Sequence, residues 1–353
     1  MSVIMKYFKG SIIFTIIALV LAFVIGYELG GNIAAAMSAV FTAALLGVLE
    51  TSLSFDNAVV NAKVLETMSP AWRKIFLTLG MLIAVGGMRI VFPYIITWAV
   101  SSNGFIDVIK MSIQNPQQFQ KILVDQHILI AGFGGAFLWM VFTKFFFDAE
   151  KDEHWLTWLE VPMQKLGKVE AVWAGITMAV SFICSKFIPD GHGAGFLAAS
   201  MLGIITYIVV EGLSGFLESG EEAMLAKGTV TKTFSAGLAA FIYLEVLDAS
   251  FSFDGVIGAF AITNSLPIIA LGLGIGAMFV RSLTIKLVDD KTLATYKFLE
   301  HGAFWAIGAL STIMYVSATG VEVPEIISGS IGIILIGLSL FSSITHNKSL
   351  QGA

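Results

Sequence analysis

Cysteine is almost missing from this chain: Cys184 stands alone, which excludes an internal disulfide framework and any thiolate metal cluster. Charge is scarce as well. Asp, Glu, Lys and Arg make up 13% of the residues and form no basic block, so a nucleic-acid partner is not expected. No His-x-x-x-His or Glu-x-x-His spacing occurs, which removes the helical signatures of zinc proteases and di-iron carboxylate enzymes, and no enzyme is expected. What fills the chain is apolar: 57% of it is hydrophobic, with 28 Phe and 35 Gly, and the mean hydropathy is +0.87. A soluble fold would need very large buried helices and almost no charged surface. The composition therefore predicts an all-α integral membrane protein.

Ten stretches are predicted to cross the bilayer as helices: 11–29, 34–62, 74–100, 127–147, 169–189, 193–217, 233–262, 266–288, 298–318 and 325–345. The first follows Lys6 and Lys9, as the apolar region of a signal peptide would, but no small-residue cleavage site follows, so it is expected to be a retained helix. With the amino terminus inside, only Lys110, Lys121 and Lys186 of the 20 Lys and Arg residues fall in outer loops. Arg89 and Arg281 lie within spans, and all the others are inside. This asymmetry predicts that both termini are cytoplasmic. The inner loop between Asp148 and Glu170 is charged and carries Trp155 and Trp158; an amphipathic helix at the interface is expected there.

The chain repeats itself. Ser54-Phe55-Asp56-Asn57 returns as Ser252-Phe253-Asp254-Gly255, and a second acid precedes each Asp by six residues, Glu50 and Asp248. A lone arginine recurs in the third and eighth spans, as Arg89 and Arg281, and His127 and His301 open the fourth and ninth. Residues 1–190 and 191–353 thus read as two five-helix repeats of one membrane domain. Five is odd, so the second must enter the bilayer in the opposite sense. Inverted repeats of this kind are a transporter architecture, with the site between the halves.

Acids within apolar spans cost ~3 kcal/mol or more at the bilayer centre and normally face a polar interior. On a helix Glu50, Ser54 and Asn57 share one face, as do Glu245, Asp248 and Ser252. Asp56 and Asp254 turn away from those faces unless the helix is broken at the motif, where serines and Gly255 favour a break. Glu50 and Asp248 are expected near the midplane, with Asp56 and Asp254 displaced towards opposite sides. Carboxylates, an amide and hydroxyls suit a hard divalent cation such as Mg, Ca or Mn as the transported substrate. So many acids exceed the charge of one ion; some must be protonated or paired with Arg89 and Arg281, which gives a route to proton coupling. The two arginines have a second reading, as structural ion pairs that lock helices together.

At these residues the chain resembles the TerC family of integral membrane proteins, of the lysine-exporter superfamily. More closely it is similar to a poorly characterised bacterial branch in which Leu244-Glu245-Val246-Leu247-Asp248 and Phe298-Leu299-Glu300-His301-Gly302 are typical. The resemblance runs nearly full length and implies metal-ion homeostasis, above all manganese efflux. It also implies that the family's acidic motif maps to Glu50, Asp56 and Asn57. Gly255 departs from the commoner Asp-Asn form, so one amide ligand is absent from the second copy, and Glu245 is the residue placed to compensate. The expected metal set is Glu50, Asp56, Asn57, Glu245, Asp248 and Asp254, supported by Ser54, Ser252, Arg89 and Arg281. No organic cofactor is expected; the partners are the bilayer, the ion and a possible second copy. The rival is a membrane-bound metal-homeostasis or tellurite-resistance accessory protein without transport. An intramembrane aspartyl protease is a third reading, though Asp56 and Asp254 lack the Tyr-Asp and Gly-x-Gly-Asp settings it needs.

Overall fold

The computed structural model describes residues 3–101, 103–169, 171–189, 191–225, 235–321 and 323–351, and among them there are helices and no strands. The helices longer than one turn are α1 Val3–Gly30, α2 Ile33–Leu53, α3 Phe55–Thr67, α4 Pro70–Val100, α5 Phe105–Gln114, α6 Pro116–Asp125, α7 His127–Phe146, α8 Thr157–Leu166, α9 Val172–Ser185, α10 Gly193–Leu225, α11 Ser235–Ile262, α12 Leu266–Asp289, α13 Leu299–Ala318 and α14 Glu325–Gln351. Local chemistry sets many of the ends. Gly31, at φ +68°, closes α1, and Asn32 opens α2 by accepting from Ala35 N at 2.9 Å. Ser69 and Pro70 start α4 in the same manner.

Each of the ten stretches marked in the sequence contains a described helix, and seven of the described helices are long and apolar enough to cross a membrane. Helix α9 has only 14 residues, and α13 carries Glu300 and His301 in its first turn. Side chains such as Phe41, Leu82 and Phe341 are more than two-thirds exposed, at 69%, 68% and 68%. With water around them such a surface would drive aggregation; in a bilayer it is the lipid contact.

Helix α12 lies at the centre, against α1, α2, α3 and α4, while α7 packs on α10, α11 and α13. Close approach rests on small residues, as bilayer packing requires: Gly47 of α2 faces Ile275, and Gly272 of α12 faces Leu46 and Ala43. The long connection between α4 and α7 is not irregular. Helices α5 and α6 fold over the end of α11, where Phe119 and Leu123 pack with Val256 and Phe260, and Gln120 donates to the Phe260 carbonyl at 2.9 Å.

At the opposite end the charged loop forms α8 as expected, with Trp158 73% exposed. Its inner side is pinned. Glu160, buried, accepts from Trp155 N, Leu156 N and Trp305 Nε1 at 3.1–3.2 Å and lies 3.5 Å from both Lys151 and His301. Burial lowers the Lys151 amine from 10.5 to about 8, more than the attraction of Glu160 raises it. Its charge rests on the rings of Phe145 and Phe146, 3.9 and 4.4 Å away. Lys63 pairs with Glu300, and Lys297 with Glu153 at 2.8 Å, so loop segments assigned to one side of the membrane meet each other.

The undocked loop holds its Lys151 proton up to about 10.5, whereas the docked loop releases it near 8. Between these values the undocked form binds more protons, so docking gains stability as pH rises through that window. Hydrogen exchange of residues 148–166 at pH 7.5 and 9.5 should show slower exchange at the higher value after correction for intrinsic rates. Lys151→Met should flatten the difference.

Candidate functional site

The two motif copies behave differently. In the first the helix breaks at Ser54 (φ −98°, ψ 20°), which ends α2 and starts α3, as the serines led one to expect. In the second α11 runs unbroken through Ser252 and Gly255. The Ser54 side chain, freed from helix geometry, donates to Glu50 Oε1 at 3.1 Å.

Glu50 is the centre of the arrangement. It is 3% exposed and receives Arg89 Nη2 at 2.5 Å, while Arg89 Nη1 donates to the Ala84 carbonyl at 2.7 Å. That carbonyl lies in the second of two π-helical stretches of α4, Phe76–Gly80 and Ile83–Val91. The first π segment serves the other arginine: Leu77 O accepts from Arg281 Nε at 2.9 Å. So Arg89 and Arg281 hold equivalent places in the sequence yet bind differently, one to a carboxylate and one to the backbone.

On one side of Glu50 lies a cavity of about 20 Å³ that also meets Ser54, Asn57, Asn61, Arg89, Glu245, Asp248 and Arg281. Four of the sequence-predicted metal and supporting residues from the first repeat, Glu50, Ser54, Asn57 and Arg89, thus meet Glu245, Asp248 and Arg281 of the second. Asn57 bridges the copies directly, its Nδ2 donating to Asp248 Oδ1 at 2.7 Å. Four buried oxygens here have no hydrogen-bond partner: Asn57 Oδ1, Asn61 Oδ1, Glu245 Oε1 and Asp248 Oδ2. Orphaned buried acceptors are costly, and a group of them on one small void calls for a cation or a donor.

Other expectations are met differently. Asp56 faces a second cavity of about 30 Å³, which Glu50, Ser54, Phe251 and Gly255 also line, so Glu50 and Ser54 separate two voids. Its Oδ1 accepts from Asn57 N at 2.9 Å in the first turn of α3, where a carboxylate is favoured by the free N–H groups. Asp56 therefore does not join Glu245 and Asp248. Ser252 is buried with Oγ unpartnered but does not line the 20 Å³ cavity. The side chain of Asp254 lies outside the described residues. Among those described, no three His, Cys, Asp or Glu side chains converge on one point; the oxygen set is two carboxylates and two amides. Asn61 was missed in the sequence, although it stands one helical turn after Asn57.

Gly255 acquires a different meaning. A Cβ there would lie 2.9 Å from Glu50 Oε2, and one at Gly276 would overlap Glu50 Cβ and Cγ. The glycine is space for the buried acid of the other copy as well as a missing amide. Gly255→Asn should accordingly displace the Glu50 carboxylate from Arg89 and lower thermal stability in detergent by ~1–3 kcal/mol, an overpacking cost. Unchanged melting of that variant by intrinsic fluorescence would contradict the contact.

Comparison with known proteins adds a coarse identity. Over 139 residues, 39% of this chain, the sequence is 28% identical to the "Uncharacterized membrane protein YceF" of Bacillus subtilis (strain 168). The aligned part spans about half of that relative, 52% of its length. No solved structure matches. Residues 55–350 match the model of the family described as "Protein of unknown function (DUF475)". With α3 to α14 inside that match, the chain is a membrane protein that belongs to the DUF475 family.

Proposed function

We propose that this protein is a transporter of divalent metal cations, with manganese as the favoured substrate and export from a bacterial cytoplasm as the direction. The observation that carries the reading is the set of four unpartnered oxygens on one buried void between the motif copies. A void of about 20 Å³ admits one water-sized body. It suits a dehydrated ion and is too small for an organic cation. Two carboxylates and two amide oxygens are hard ligands, which favours Mn, Mg or Ca over softer metals.

The repeat supports transport rather than storage. Helix α2 packs on α12 while α11, its counterpart, packs on α4; α7 packs on its own counterpart α13. Reciprocal contacts of this kind are what inverted repeats of five helices, 1–190 and 191–353, would make. Meeting of Lys63 with Glu300 and of Lys297 with Glu153 agrees with inner loops gathered on one side, both termini cytoplasmic. Resemblance to the TerC family supplies the choice of manganese, and the acids leave proton coupling open as the return step. An accessory protein that binds the ion without moving it is the alternative from another class.

Reconstituted protein should carry Mn²⁺ into liposomes loaded with a metal-quenched dye. Asp248→Asn and Asn57→Gly should each slow the flux at least about tenfold, the loss of a ligand in a site of four. Binding by the purified chain with no flux from wild type would favour the accessory reading, and neither binding nor flux would remove the cation reading altogether.

A further inference from the structure

We propose that Arg89 is a tethered stand-in for the transported cation: its guanidinium occupies Glu50 while the site is empty, and an arriving ion must take Glu50 from it. The inference rests on the cation reading above and names a competitor within the same site.

Charge arithmetic leads to it. Three carboxylates line the void, Glu50, Glu245 and Asp248, against two guanidiniums, Arg89 and Arg281. A guanidinium stays charged at any working pH. With all three carboxylates ionised, the empty site carries one surplus negative charge. A divalent ion added to that arrangement would leave a surplus positive charge in a region with little water. If Arg89 withdraws as the ion enters, the ion, Arg281 and three carboxylates sum to zero. Glu50 then passes from the arginine to the ion.

Geometry favours Arg89 over Arg281 for this role. Arg89 is 3% exposed and holds the acid directly, whereas Arg281 is tied through Nε to the Leu77 carbonyl. Arg89 is also incompletely satisfied, for its Nε has no partner. Its anchor, the Ala84 carbonyl, belongs to a π-helical stretch that contains Gly86 and Gly87, a form of helix more readily rewound than a regular one. A lock made only for stability would satisfy every donor of a buried guanidinium.

Titrating the purified full chain in detergent with Mn²⁺, read by calorimetry, separates the cases. Arg89→Gln should bind about tenfold more tightly than wild type, because the competing charge is gone. Equal or weaker binding by a folded Arg89→Gln would overturn the proposal. Should that variant fail to fold, the neutral pair Glu50→Gln with Arg89→Met is compared with Glu50→Gln alone. The double variant should bind more tightly, since the single one leaves a free guanidinium facing the ion; equal affinities would overturn the proposal. Absence of Mn²⁺ binding in wild type and in every variant would instead defeat the cation reading on which the proposal stands.

Discussion

A charged pair buried between helices, Arg89 on Glu50, governs the layout of this membrane protein. Ions are expensive to desolvate, and each partner of such a pair needs further hydrogen bonds to be tolerable. Around the acid, the chain breaks its own helix so that Ser54 can donate to it. Around the base, the Ala84 carbonyl in a π-helical stretch of α4 accepts from the guanidinium. Helices α11 and α12 contribute glycines where they touch the carboxylate. Two helices thus depart from the regular and two more present glycines around one ion pair, and the unpartnered oxygens of Asn57, Asn61, Glu245 and Asp248 gather beside it.

Much of the scaffold was readable from residue order alone. Stretch 266–288 became Leu266–Asp289 and 127–147 became His127–Phe146, because an apolar run of bilayer length closes its own backbone hydrogen bonds and ends where caps and prolines stop it. The facing of Glu50, Ser54 and Asn57 onto one void followed from helical spacing, despite the break at Ser54. Helices α5 and α6 did not emerge. They are ten residues each and amphipathic, and their apolar sides make sense only against Val256 and Phe260, far away in the chain.

The site was legible as an inventory and not as a set of partnerships. Repetition marked both arginines and could not say that one would meet a carboxylate and the other a carbonyl, since that depends on where α4 changes its winding. Asp56 looked equivalent to Glu50 by charge, yet the start of a new helix one residue earlier gives it N–H partners of its own. Asn61 carried a faint signal, an amide four residues after an amide in an apolar helix, that the search for acids passed over.

Gly80, Gly255 and Gly276 bring main chain against the carboxyl groups of Glu245 and Glu50. Side chains can retract to admit a larger guest; backbone cannot. Since nothing is smaller than glycine, every substitution at Gly80, which lines the 20 Å³ cavity, can only narrow it. On that side a larger chamber would require helices to part, so selection acting on Gly80 can exclude large ions but not admit them.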